Sequence, residues 1–244
     1  MISEKQLEQN RLFFSIIIPA HNEEKYIENT LKKIINLDYP KDKVEVFVIE
    51  NGSNDKTLEV AQKLSGQNIS VLISPEKGVS IARNLGTEKV SKNSDWVIFL
   101  DADTLLERNF LKELNIFLQK NSNKNYSIGT TSIMPFPETK KAKRWFVFWD
   151  LGHKIFKASY AIQIIKRSLL ADIRYDVNLE MGEDLKLIKE ARRYGKFFFF
   201  ETKDVLSSTR RFEQVGWWKL FFQWIFIAKL PKFLQKKFTY KVTR

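Results

Sequence analysis

The sequence predicts an α/β fold, with a mostly parallel sheet covered by helices. Three observations lead there. Short apolar or β-branched runs alternate with helical patterns through the first hundred residues, as strand–helix–strand units do. The run from Trp96 to Leu100 is apolar at every position, as expected of a strand buried on both faces. A polar cluster follows each strand, on the side where ligands bind in open α/β sheets.

Phe13 to Ile18 reads as the first strand. Asn22 then caps a helix with Glu23 and Glu24 in its first turn and an apolar stripe of Ile27, Leu31, Ile34 and Ile35, ended by Asp38-Tyr39-Pro40. Val44 to Ile49 is a second strand. The turn Asn51-Gly52-Ser53-Asn54-Asp55 and a helix through Leu58, Ala61 and Leu64 follow. Ile69 to Ile73 is a third strand, Ile81, Ala82 and Leu85 mark the next helix, and the Trp96 strand runs into Asp101-Ala102-Asp103. Beyond it the pattern predicts a helix on Leu106, Phe110, Leu114 and Phe117, and a strand from Tyr126 to Ile133. An aromatic helix from Trp145 to Phe156 and a strand from Tyr160 to Ile165 come next. Glu183-Asp184 opens a helix that Gly195 stops, and Phe197 to Phe200 is a buried strand.

The length of 244 residues and 43% hydrophobic content suit one globular core with an appendage. With no cysteine there is no disulfide framework, zinc–thiolate site or thiol nucleophile, which fits a reducing compartment. The N-terminal apolar run is cut by Pro19, so no signal peptide is expected, and no stretch reaches the ~20 apolar residues of a spanning helix. His21 and His153 offer no metal-ligand spacing. Phosphate-binding P-loop, dinucleotide and serine-hydrolase signatures are absent.

The polar residues after the strands carry the candidate chemistry. Asp101 and Asp103, two apart at a strand end, suit one hard divalent cation if the backbone there is extended. Arg83 is a cation near the same sheet edge, for a phosphate or for orienting an acid; alone, it also reads as a solvated helix arginine. Glu50 and Asn51 offer acceptors and an amide to a base or ribose, or else serve the turn itself. Asp184, at a helix start where the macrodipole favours its charge, is a candidate base for a hydroxyl, or a helix acid with an electrostatic role alone.

Together these residues resemble the family 2 glycosyltransferases. The likeness rests on Phe14-Ser15-Ile16-Ile17-Ile18-Pro19-Ala20-His21-Asn22-Glu23-Glu24 and on Val48-Ile49-Glu50-Asn51-Gly52-Ser53-Asn54-Asp55. Gly78 with Ala82-Arg83-Asn84 and Gly86, then Phe99-Leu100-Asp101-Ala102-Asp103, then Gly182-Glu183-Asp184-Leu185, complete it. The resemblance implies a GT-A fold, a Rossmann-like, mostly parallel central sheet flanked by helices, here with a C-terminal amphipathic helical tail. It implies a catalytic domain over 13–205 after an extension of 1–12, with a nucleotide-binding half 13–103, an acceptor-binding half 104–205 and a tail 206–244. It also implies an inverting, metal-dependent glycosyltransferase that moves a sugar from a nucleoside diphosphate sugar, uridine diphosphate sugars favoured, to a sugar or lipid-linked acceptor.

In that scheme Pro19, Ala20, Asn22, Glu23, Glu50, Asn51, Arg83, Asp101, Ala102, Asp103 and Glu183 bind the donor. Asp101 and Asp103 hold Mg²⁺ or Mn²⁺, and Asp184 is the base. The chain departs from the family at Glu50-Asn51, where the usual pair is Asp-Asp or Asp-Asn. It also departs over Lys140 to Tyr160, a basic and aromatic stretch in which the acceptor is expected to be chosen.

The formal charge is +12, and the segment from Val205 to Arg244 holds nine Lys/Arg against one acid, Glu213. Trp217, Leu220, Phe221, Trp224 and Ala228 share one helical stripe there, with Lys232, Lys236 and Lys237 beyond. Residues 217–238 therefore suit peripheral attachment at the cytoplasmic face of the cell membrane, or else packing on the catalytic domain or a dimer interface. Nucleic acid is not the expected partner, since no recognised motif accompanies the charge. Two other functions remain open: a non-catalytic nucleotide-sugar or glycan-binding module, and a sugar-phosphate nucleotidyltransferase. The absence of glycine from Pro19 to Glu24 counts against the second.

Overall fold

The structure, a computed structural model, describes residues 10–66, 68–179 and 181–229, the side chains of 224–229 excepted. The first half alternates as the sequence predicts. Strand β1 (Phe14–Ala20) leads to helix α1 (Ile27–Ile35), β2 (Val44–Glu50) to α2 (Thr57–Lys63), and β3 (Ile69–Ile73) to α3 (Val79–Lys89) and β4 (Trp96–Leu100). The second half holds β5 (Thr104–Leu106), α4 (Phe110–Lys120), β6 (Tyr126–Thr131), β7 (Met134–Phe136) and α5 (Lys140–Phe156). Then come β8 (Ile162–Lys166), α6 (Glu183–Ala191), β9 (Lys196–Phe200), β10 (Val205–Ser208), α7 (Arg210–Val215) and α8 (Trp217–Lys229).

A seven-stranded sheet runs β3-β2-β1-β4-β8-β6-β9, and a small sheet runs β5-β10-β7. β1 pairs in parallel with both β2 and β4, while β8 is antiparallel to both its neighbours. Strand order reverses between β1 and β4, which opens a crevice beyond their carboxyl ends.

The period-2 alternation of β1 sorts its side chains onto two cores. Ile16 and Ile18 join α1, α4 and the aromatic residues of α5, whereas Ile17 joins Phe47, Phe99, Ala82 and the buried face of α6. Helix α3 lies so close to β1 that a Cβ on Gly86 would stand 2.5 Å from Ile17 Cγ2, so only glycine fits there.

Four local expectations differ. Asn22 does not cap α1: it sits at φ 55° in the preceding loop, and Tyr26 holds the cap position. Leu106 ends β5 rather than opening a helix, because Thr104–Leu106 pairs with β10. The strand predicted to reach Ile133 stops at Thr131, and the chain re-enters a different sheet at Met134. Pro19 and Ala20 lie within β1, in register with Ile49 and Glu50, and not in the loop after it.

The C-terminal helix begins at Trp217 as expected, but Trp217 and Leu220 are buried in the main core. That part of the stripe packs on the domain. The side chains of Trp224 and Ala228, the stretch 230–238 and the extension 1–9 lie outside the described residues.

Candidate active site

The crevice between β1 and β4 gathers charged residues from four elements. Arg83, on α3, is buried and sits 4.9 Å from the centre of the Tyr175 ring. Its Nη1 donates to Asp184 Oδ1 at 2.9 Å and to Glu183 Oε1 at 3.1 Å, and Nη2 reaches Asp101 Oδ1 at 3.4 Å. Arg83 is therefore an orienting cation for three acids and not a solvated helix residue. Burial alone would lower its pKa, yet Asp184, Glu183 and Asp101 hold it well above the ordinary value.

One guanidinium cannot balance all three carboxylates, and two of them, Glu183 and Asp184, are shielded from water. Burial pushes Glu183 up to about 7 and raises Asp184 as well, outweighing both the ion pairs and the helix N-terminus. Gly182, at φ 76°, turns the chain into α6 and sets both acids in its first turn. Gln163 on β8 hydrogen-bonds to Asp184 and accepts from the Tyr175 hydroxyl. A carboxylate with a raised pKa, held by two partners at a crevice, is poised to accept a proton.

Asp101-Ala102-Asp103 forms a turn and not an extended strand end, so its two carboxylates meet different cations. The turn is closed by Thr104 N–H to Asp101 O at 3.0 Å and tied to α1 by Thr30 Oγ1, which donates to Ala102 O at 2.7 Å. The Ala102 side chain is buried in the core. Asp103 Oδ2 lies 3.0 Å from Arg210 Nη2, and the same nitrogen is 2.7 and 2.9 Å from the two oxygens of Glu23. Burial first, with Asp101 and Glu23 adding repulsion, pushes Asp103 up to about 7 despite Arg210.

The remaining predicted residues knit loops together. Asn22 Oδ1 accepts from Asn54 N–H at 2.8 Å, and Glu23 N–H donates to Thr57 Oγ1 at 2.7 Å. Asn51 N–H donates to Ala20 O, while Asn51 Oδ1 accepts from Gly78 N–H, both at 2.8 Å. The Glu50 carboxylate, buried, accepts from Ser53 N–H across its own turn. Pro19, Ala20, Asn22, Glu50 and Asn51 thus line the β1–β2 edge, apart from the Arg83 cluster.

Sequence reasoning missed Arg210, Gln163 and Tyr175. Arg210 reads in the sequence as part of the basic tail, and the four-residue strand two positions before it is too short to mark it.

The chemistry of this site suits a hard cation. Asp101 and Asp103 each keep one oxygen outside the guanidinium contacts. No group of three or more ligating side chains occurs among the described residues, so substrate oxygens would complete the shell.

Residues 15–171 match the model of Glycosyl transferase family 2. The chain belongs to that family. Among curated relatives, it is 24% identical over 220 residues to the minor teichoic acid biosynthesis protein GgaA of Bacillus subtilis, covering 78% of this chain and 48% of that one. The chain spans about half the length, or less, of the first curated relatives it matches. Among solved structures, S. aureus TarS 1-349 in complex with UDP-GlcNAc aligns with TM-score 0.67 at 21% identity, covering 81% of this chain and 58% of that one. The mannosyltransferase PcManGT from Pyrobaculum calidifontis, in complex with GDP-Man and Mn²⁺, aligns with TM-score 0.64 at 20% identity, covering 82% and 57%. The shared fold is GT-A, and α6 to α8, with Asp184 and Arg210, lie beyond the matched family segment.

Proposed function

We propose that this family 2 protein is an inverting glycosyltransferase. It moves a sugar from a nucleoside diphosphate sugar, preferably of uridine, to a hydroxyl of a lipid-linked glycan or envelope polymer. The observation that carries the reading is the joining of Asp184, Glu183 and Asp101 through one buried Arg83 at the sheet's switch point. GgaA, named for minor teichoic acid biosynthesis, supports the polymer class, and the TarS complex with UDP-GlcNAc and the PcManGT complex with GDP-Man support the donor class.

The β1–β2 edge, Pro19 to Glu23 with Glu50 and Asn51, takes the base and ribose, and the half over 104–205 takes the acceptor. Arg83 and Gln163 hold Asp184, whose carboxylate receives the acceptor's proton as the hydroxyl attacks the anomeric carbon. The acceptor oxygen bonds that carbon on one face while the nucleoside diphosphate leaves from the other, which inverts the configuration. Asp101 and Asp103 would hold Mg²⁺ or Mn²⁺, which supplies charge neutralisation for the departing diphosphate. Glu183 shares the Arg83 guanidinium with Asp184 and so helps to set the charge that Asp184 meets. The work takes place at the inner face of the cell membrane, with the protein attached peripherally.

Calorimetric titration of uridine diphosphate with and without Mn²⁺ tests the donor site, and product analysis with a lipid-linked acceptor tests transfer. Asp103→Ala is expected to abolish metal-dependent binding. Asp184→Asn is expected to keep binding within about threefold and to lower transfer by at least about a hundredfold. Full turnover by Asp184→Asn removes the base assignment, and binding with no turnover by the wild type returns the binding-module reading.

A further inference from the structure

We propose that the joined outer face of α5 and α8 is a bilayer-docking surface, and that the cleft between the two helices takes the phosphate headgroup of an anionic lipid. The inference rests on the peripheral location proposed above and not on the transfer chemistry.

Large apolar side chains concentrate on this face. Val147, Leu151, Ile155 and Phe156 of α5 and Trp218 and Phe222 of α8 are between 56% and 80% exposed. Val147, Leu151 and Ile155 follow the spacing of one helical face, as do Trp218 and Phe222, and Phe156 stands at the end of α5. The opposite faces are already filled: Phe146, Trp217 and Leu220 are buried in the main core. Trp145 stands edge-on to the buried Trp217 at 5.7 Å, which fixes α8 against α5. Packing within the chain therefore leaves the outer side chains in water, and an apolar patch of this extent marks an interaction surface.

Charge selects the partner. The start of α5 carries Lys140, Lys141, Lys143 and Arg144, and among the described residues only Lys143 of these has an acid partner, Glu138. The one acid of α5, Asp150, points inward and accepts from Ile133 N–H at 3.1 Å. From Gln214 to Arg244 the sequence holds no acid at all. A second copy would bring the same positive charge to the same apolar strip, whereas an anionic bilayer complements both.

A cleft of about 440 Å³ lies within this face, lined by Lys141, Arg144, Trp145, Phe148 and Trp218. Lys141 Nζ is 5.2 Å from the Trp217 ring centre, so its stem lies along the aromatic wall. Two cations against three aromatic side chains match a phosphate that carries its own apolar tail. A free phosphate ion would use only the cations. Helix α5 follows β7, whose sheet begins at Thr104, directly after Asp103, so docking would set this half of the molecule towards the lipid.

Co-sedimentation of the full chain with phosphatidylcholine vesicles, with and without phosphatidylglycerol, tests the proposal. The wild type is expected to pellet with the anionic vesicles and to bind the neutral ones far more weakly. Lys141→Gln/Arg144→Gln is expected to weaken anionic binding about thirtyfold. Leu151→Glu/Phe156→Glu is expected to abolish it. Both are expected to keep the wild-type melting temperature within a few degrees, since the four side chains are exposed. Free inorganic phosphate is expected not to compete; competition at equal strength would make this an ordinary phosphate site and overturn the lipid assignment. Failure of the wild type to pellet overturns the proposal, with or without dimers in sedimentation equilibrium. So does undiminished binding by both double variants, including the case in which truncation after Lys229 alone removes it. Vesicle binding is read without nucleotide, so failure here leaves the transferase reading standing, and the reverse.

Discussion

Arg210 carries more of the site than its neighbours in sequence suggest. Its guanidinium balances Glu23 and Asp103 together, stands 4.3 Å from the Tyr26 ring centre, and closes the C-terminal part of the chain over the first strand's loop. Removing it leaves two carboxylates with little solvent, which costs about 3 kcal/mol when a buried ion pair loses one member. Arg210→Met is therefore expected to lower unfolding free energy by about that amount. Glu23→Gln in the same chain should recover part of it, with a coupling of about 1–3 kcal/mol in urea denaturation. Additive losses would mean that the contact carries no energy. Asp101, Asp103 and Arg83 were legible in the sequence because they lie near strand ends, where ligands of such sheets bind, and Asp184 because it opens a helix. Arg210 was not, because the contact spans 187 positions and its own neighbourhood reads as a basic tail. Glu50 and Asn51 were legible as polar turn residues, but their hydrogen bonds run to Ser53 and Gly78, which only the folded loops reveal.

At the scale of the element, α5 shows how a helix can be amphipathic and still bury charge. Asp150 and His153 lie three apart on its inner side, against Tyr160, whose ring centre is 5.1 Å from that of His153. Burial pushes Asp150 up to about 7 and His153 down to about 4, and holds the Tyr160 hydroxyl neutral. Between pH 4 and 7 the folded chain keeps a proton on Asp150 that the unfolded chain has released, so this group's contribution to stability falls as pH rises. His153 acts in the other direction: below 6.5 the unfolded imidazole takes up a proton that the folded one refuses until about 4, so its contribution falls as pH drops. The two slopes oppose each other across the shared window. Asp150→Asn keeps an acceptor for Ile133 N–H and removes one slope. The variant is expected to be about 2 kcal/mol more stable than wild type at pH 8, after discounting for partial exposure, and to lose about 3 kcal/mol between pH 7 and 4 where the wild type changes little. Parallel pH–stability curves for the two proteins would refute the assignment. The sequence marked this helix by its aromatics but placed its start at Trp145, because the cationic turn from Lys140 has no apolar periodicity to announce it.

Across the whole molecule, the parallel half was readable because each strand and helix there is long enough to show its period and is joined by short loops. The insertion of antiparallel β8 between β4 and β6 was not, since strand direction leaves no mark on side-chain periodicity. Nor was the small sheet, whose strands are three or four residues long, too short for alternation to register. That sheet nonetheless joins Thr104, directly after Asp103, to Ser208, two residues before Arg210, and so sets both ends of the Asp103–Arg210 contact. Helix α8 completes the same arrangement. Trp217 stacks on Phe212 of α7 at 4.9 Å and meets Trp145 of α5, so the C-terminal helix braces the element that presents Arg210. If α8 were only an external anchor, its first turn would be dispensable to folding. Because Trp217 is 8% exposed within the main core, Trp217→Ala is expected instead to cost about 3–5 kcal/mol and to lower the melting temperature by about 10 °C. The outward-facing Trp218→Ala should shift it by no more than a degree or two, about the ±0.5 kcal/mol of an exposed substitution. Differential scanning calorimetry of the pair decides the matter: equal, small shifts would mean that α8 stands free of the domain, and unequal ones that it is part of the fold that holds the site.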